Sequence, residues 1–178
     1  MTGNIVRMKK METKEIIQGK RVLIVDDEKD VLDSISELLE ICKIDTALSF
    51  DAAKHLLENN TYDIVVLDIM GVRGFDLLEM TNQKGIPTLM LTAHAFSEET
   101  LKKSAEMEAC YFVPKEKMSQ IDVFLADVID AAEKGKSPWV KCFERLGRYY
   151  DKRFGGTDWR KKEKEFWEKR IKGFMGEP

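Results

Sequence analysis

No apolar run in the 178-residue sequence approaches the ~18–20 residues that a membrane-spanning helix requires. The opening MTGNIVRMKKMETKE also lacks the apolar stretch of a secretory signal, so a cytoplasmic chain is expected. Cysteine is scarce. Cys42, Cys110 and Cys142 are odd in number and show no CxxC or Cys/His spacing, which supports neither a disulfide framework nor a zinc site. Length sets a further limit, because 178 residues hold one ordinary domain and an appendage but would cramp two domains.

Apolar residues make up 43% of the chain and charged residues 34%, the balance of a soluble globular protein with a real core. The net charge of −3 conceals an asymmetry: residues 1–133 carry 15 Lys+Arg against 25 Asp+Glu, whereas residues 134–178 carry 14 against 7. Opposite signs on adjoining segments suit either a tail docked on the body or a basic surface for another partner.

Residues 1–19 have weak periodicity and three methionines, Met1, Met8 and Met11, and read as a frayed or loosely docked leader. Beyond them, short apolar runs alternate with helical stripes. Strands are expected at 21–25, 44–49, 64–67, 86–92 and 109–113. Between and after them come five helices: 28–42, one capped by Asp51, one from about Phe75, one opened by Ser97, and one over about 117–134 that Gly135 stops. Five strand and helix pairs with right-handed crossovers make an α/β, doubly wound, parallel five-stranded sheet over residues 20–134.

Ligand sites in such sheets form beyond the carboxyl ends of the strands. Those ends carry Asp26-Asp27, Asp68, Thr92 and, just after the last strand, Lys115. Three convergent carboxylates repel unless neutralised, and hard oxygen donors suit Mg²⁺. One carboxylate could then attack phosphorus while a cation, an ammonium and a hydroxyl hold the phosphoryl oxygens, roles open to Asp68, Lys115 and Thr92. Taken singly, an aspartate pair is as readily a helix cap, a threonine a β-former and a lysine a solvated surface group. The five together at successive strand ends are hard to obtain by chance.

Through VLIVDDE, IVVLDIM, PTLMLTA and YFVPK, about residues 20–134 resemble the response-regulator receiver family of two-component signalling. The resemblance implies the flavodoxin-like strand order 2-1-3-4-5, with Asp68 as phosphoacceptor, Thr92 as switch hydroxyl and Lys115 as the phosphate-contacting lysine. Asp26, Asp27, Asp68 and the backbone carbonyl of Met70 would hold Mg²⁺. Phe112, three residues before Lys115, takes the place where receivers often carry a switching tyrosine, though it is equally at home in the core; Tyr111 should point to the opposite face. A sensor histidine kinase or phosphotransfer protein is the implied phosphodonor and an unspecified protein the downstream partner. Such a chain is a phosphoacceptor, not an enzyme with a separate substrate. A phosphohydrolase on a similar sheet would need a DxD nucleophile motif, absent at both Asp26-Asp27 and Asp68.

Some positions depart from the family pattern. From Asp68 the loop Ile69-Met70-Gly71-Val72-Arg73 reaches Gly74 two residues sooner than is usual, which makes Met70 a less secure ligand position than Asp68. Proline precedes Lys115 instead of following it. The bond before Glu116 should therefore be trans, since a cis bond there would cost ~2.5–4 kcal/mol, and Pro114 is tolerable on an edge strand. His94 lies at the crevice rim, where a loop histidine is ordinarily solvated.

In residues 135–178, Ser137-Pro138 can start a helix with Trp139, Phe143, Leu146, Tyr150 and Phe154 on one stripe, broken at Gly155-Gly156. Thr157 or Asp158 can cap a second helix bearing Trp159, Phe166, Trp167, Ile171 and Phe174. About forty residues bury little alone, so this helical extension should pack on the body, on a second copy through self-association, or on a partner. The basic cluster Arg160-Lys161-Lys162, Lys164, Lys169, Arg170 and Lys172 allows nucleic-acid binding, but Glu163, Glu165 and Glu168 interrupt it. The expected function is phosphorylation-controlled protein contact. The alternatives are a phosphorylation-independent scaffold and a receiver with a nucleic-acid-binding tail.

Overall fold

The computed structural model describes residues 2–172, so Phe174 lies outside the described residues. Five parallel strands, β1 (Arg21–Val25), β2 (Lys43–Ala47), β3 (Ile64–Asp68), β4 (Thr88–Thr92) and β5 (Tyr111–Pro114), lie in the order β2-β1-β3-β4-β5. β3 and β4 are buried along their whole length, as their unbroken apolar runs require.

The connecting helices are α2 (Lys29–Leu38), α3 (Phe50–Asn59), α4 (Gly74–Gln83) and α5 (Glu98–Glu106), with α6 (Ile121–Glu133) after β5. Right-handed crossovers put α3, α4 and α5 on one face, and α2, which touches α6, on the other. Strand order reverses between β1 and β3, which opens a crevice at their carboxyl ends.

Local chemistry sets several boundaries differently from the sequence pattern. Ser49, not Asp51, caps α3, its hydroxyl accepting from the Ala52 N–H. The second helix ends at Leu38 rather than running to Cys42. A 3₁₀ turn, Lys115–Gln120, comes before α6 and delays its start to Ile121. Ser97 caps α5 as expected, with Thr100 completing a reciprocal capping box.

The largest departures are at the two ends. Residues expected as a loose leader form α1 (Thr2–Ile17), which packs beside α6 with Ile17 fully buried. Ile5, Val6, Met8 and Met11 are exposed, although Val6, Lys9 and Thr13 line a cavity together with Asp122, Ala126 and Asp130 of α6.

The extension continues as α7 (Pro138–Arg153), α8 (Asp158–Lys162) and α9 (Lys164–Lys172), so the expected second helix is split at Glu163. α7 lies along the outer edge of β5 and beside α6, burying Trp139, Cys142, Leu146 and Tyr150. The Trp139 indole N–H donates to the Ala109 carbonyl at 2.9 Å, and the Tyr150 hydroxyl donates to the Phe112 carbonyl. An edge strand that would offer unpaired backbone to a second chain is thereby covered by side chains of its own molecule. Of the three packing options open to the tail, the structure realises the first.

Candidate functional site

β1 delivers Asp26 and Asp27, β3 delivers Asp68, and the end of β5 delivers Lys115 to a crevice of about 220 Å³. Asp27, Glu28, Asp68, Met70, Gly71, Ala93, His94 and Lys115 line it. Lys115 is the hub: its Nζ lies 2.7 Å from Asp26 Oδ2, 2.9 Å from Glu28 Oε1 and 3.5 Å from Asp68 Oδ1.

Asp26 is fully buried and serves two purposes. Its Oδ1 accepts the Glu28 N–H at 2.9 Å, which secures the turn into α2. Its Oδ2 finds no well-directed hydrogen bond and depends on the Lys115 charge alone. Burial would by itself push the Lys115 ammonium down, but its bonds to Asp26 and Glu28 and the charge of Asp68 outweigh this and hold its pKa above the ordinary value. Asp68, only 5% exposed, is driven the other way: burial first and then the charge of Asp26 push its carboxyl up to about 7, against the pull of Lys115.

Oxygens of Asp26, Asp27 and Glu28 fall within 4.8 Å of one another, the one such metal-competent group among the described residues. Hard oxygen donors around a buried, unsatisfied carboxylate atom fit a small divalent cation held with some of its own water.

Two glycines make the shortened loop workable. Gly71 has φ +81°, and a Cβ there would collide with the Asp27 carboxylate. A Cβ at Gly74 would meet the Asp68 carbonyl, so the chain can re-enter α4 closely behind Asp68 only at a glycine. Arg73, which takes the left-handed conformation at φ 54°, completes this turn. The loop leaves Met70 on the crevice wall with its side chain exposed.

The five polar residues expected at strand ends are all there, but Thr92 is engaged differently from the others. It is buried at the end of β4, and its hydroxyl accepts the Ala95 N–H at 3.1 Å; the crevice wall beside it is formed by Ala93 and His94. Phe112 is fully buried, its ring 5.4 Å from that of Phe96 and 6.2 Å from that of Tyr150. Tyr111 points the other way and donates to Asp127 on α6. No cis peptide bond occurs among the described residues, Lys115-Glu116 included. Glu28 was absent from the sequence-derived set; its position in the acidic run Asp26-Asp27-Glu28 was the available signal.

Known proteins place this geometry. The response regulator receiver domain matches residues 22–126, more than half of the chain. Among curated relatives, the heme response regulator HssR of Staphylococcus haemolyticus is 41% identical over 78 residues, 41% of this chain and 35% of that protein. The two-component response regulator ARR18 of Arabidopsis thaliana is 36% identical over 90 residues, 47% of this chain and 14% of that protein. The matched stretch thus spans about a third or less of either relative's length. Among solved structures, a CheY-like receiver domain protein from Methanospirillum hungatei superposes with a TM-score of 0.59 at 26% identity, covering 66% of this chain and 98% of that one. The response regulator DrrB of Thermotoga maritima gives 0.55 at 25% identity, covering 67% of this chain and 55% of that one. With its strand order and its acidic crevice, this chain belongs to the response regulator receiver domain family of two-component systems.

Proposed function

We propose that the chain accepts a phosphoryl group on Asp68 and signals through protein contacts. The observation that carries this is the Lys115 ammonium held among Asp26, Glu28 and Asp68 at the floor of an open crevice. An oxygen of ionised Asp68 attacks the phosphorus of a phosphohistidine on a sensor kinase or phosphotransfer protein, or of a small phosphodonor. With a phosphohistidine, a P–O bond forms as the P–N bond breaks, and the departing imidazole takes up a proton. Lys115 neutralises one phosphoryl oxygen, and the Thr92 hydroxyl, at the end of the neighbouring strand, is the reserve donor for another.

Asp26, Asp27 and Asp68, with the Met70 carbonyl, are the residues that would hold Mg²⁺. Bound there, Mg²⁺ would supply the positive charge that the three carboxylates lack and steady the transferring oxygens. The chain turns over no separate substrate in this reading, and it works in the cytoplasm where kinases and phosphodonors are found.

Incubation with Mg²⁺ and acetyl phosphate, followed by intact mass measurement, tests the proposal. One added phosphoryl group is expected on the native chain and none on Asp68→Asn; a native chain that stays unmodified, or an Asp68→Asn chain that is still modified, overturns it.

The tail's basic run is a weaker base for a nucleic-acid reading. Arg160 pairs with Asp151 at 2.8 Å, Lys161 with Asp158 at 3.4 Å and Lys164 with Glu168 at 3.8 Å, so three of its seven basic residues already have acidic partners within the tail.

A further inference from the structure

Helix α7 and its C-cap contact two of the four loops that border the crevice, those after β4 and β5. The first loop, residues 93–97, lines the crevice with Ala93 and His94 and then carries Phe96 into the tail. There the Phe96 ring lies 5.2 Å from Phe154, 5.4 Å from Phe112, 5.5 Å from Tyr149 and 5.9 Å from Tyr150. The second loop begins with Lys115 in the crevice, and the next residue, Glu116, accepts the hydroxyl of Tyr149. Three of the tail residues so engaged, Tyr149, Tyr150 and Phe154, cluster at the C-terminal end of α7, whereas Trp139 anchors its start at Ala109.

We propose that α7 is an intramolecular strap over the α5–β5–α6 face, and that a phosphoryl group on Asp68 loosens it. The proposal rests on the reading of Asp68 as phosphoacceptor. A phosphoryl group brings three strong acceptor oxygens and close to two negative charges into a small crevice. The nearest donors are Lys115 and the start of the 93–97 loop. Lys115, already 3.5 Å from Asp68, would draw towards it and away from Asp26 and Glu28, and a shift of the chain at Lys115 would carry Glu116 and its bond to Tyr149. Thr92 or the loop amides would turn to it too, and a rotation of the Thr92 side chain would loosen the Thr92–Ala95 bond that sets the loop's course towards Phe96.

Close-packed rings do not deform by degrees; they keep one arrangement or exchange it for another. Withdrawal of Phe96 and release of Tyr149 therefore act together on the same end of α7. The surface uncovered would include Phe112, its backbone carbonyl and the edge of β5, an apolar strand edge suited to a protein partner.

Cys142 reports the strap, because it lies fully buried on the inward face of α7 with its sulfur 3.3 Å from the Tyr150 hydroxyl. Full-length protein is labelled with iodoacetamide and each cysteine is followed by peptide mass, with phosphorylation by acetyl phosphate and Mg²⁺ read on the intact chain. In phosphorylated protein Cys142 should label about tenfold faster, while Cys42 keeps its rate. Phe96→Ala should show fast Cys142 labelling without phosphodonor and no further increase with it. Tyr149→Phe, which removes only the bond to Glu116, should give a smaller acceleration. Phosphorylated protein in which Cys142 stays as protected as before overturns the strap and makes the tail a permanent cap. Protein that never takes up a phosphoryl group overturns the phosphoacceptor reading, and the strap's control falls with it.

Discussion

At the scale of single residues, Gly71 separates the cost of backbone strain from the cost to the site. Its φ of +81° disfavours any other residue, and its missing Cβ leaves room for the Asp27 carboxylate. Gly85 is a natural control, since it too has positive φ, at +67°, but faces open space. Gly71→Ala and Gly85→Ala should each lose ~1–2 kcal/mol in urea unfolding from left-handed backbone strain. At the proposed Mg²⁺ site, binding to the folded state should raise the Tm of the native protein by mass action, and only Gly71→Ala should also blunt that rise. Equal Mg²⁺ responses from the two variants would show that Asp27 does not need this loop. Asp27→Asn, which removes the carboxylate without crowding the loop, should lower the Mg²⁺ response as well.

Among the elements, β1, β3, β4 and β5 were legible because buried parallel strands leave unbroken apolar runs, whereas the half-exposed β2 had only a short pattern and the strand order followed from the family resemblance. Asp26, Asp27, Asp68, Thr92 and Lys115 could be located on the same ground, since topology alone carries strand ends to one crevice. Glu28 was not, because a glutamate at a helix start is ordinarily a solvated residue and only the position of Lys115 gives it a partner. Helix α1 escaped notice for a related reason. Its apolar residues fall on more than one side, and what orders it is tertiary packing against α6, most deeply at Ile17, which enters the core. This makes the helix a sharp test of position within an element. Ile17→Ala should cost ~2–5 kcal/mol by opening a cavity, and Ile5→Ala less than about 0.5 kcal/mol, both measured by urea denaturation. Similar losses from the two would mean that the first turns of α1 are docked too.

For the whole molecule the question is what holds a tail of charge near +7 to a body of charge near −10. Ion pairs do cross the boundary: Arg145 bonds Asp127 on α6, and Lys102 on α5 meets Glu163 at 3.0 Å. The Lys102–Glu163 pair lies at partly exposed positions, where such pairs contribute ~0–1 kcal/mol and fade with salt, whereas the bidentate Arg145–Asp127 pair, with Asp127 largely buried, is screened less. Against them stands an apolar seam in which Trp139, Cys142, Leu146, Tyr150, Trp159 and Trp167 are all buried. Burying a single large side chain of this kind stabilises by ~1.5–3 kcal/mol, and that contribution is not screened. The seam should therefore dominate, with the opposite charges guiding the tail to its place more than keeping it there. All three tryptophans, Trp139, Trp159 and Trp167, belong to the tail, so intrinsic fluorescence observes docking without a label. Raising NaCl from low ionic strength to about 1 M, where the screening length shrinks to ~3 Å, should leave the tryptophan emission maximum where it is. A shift towards the red on adding salt would show that charge, and not the aromatic seam, keeps α7 on the edge of β5.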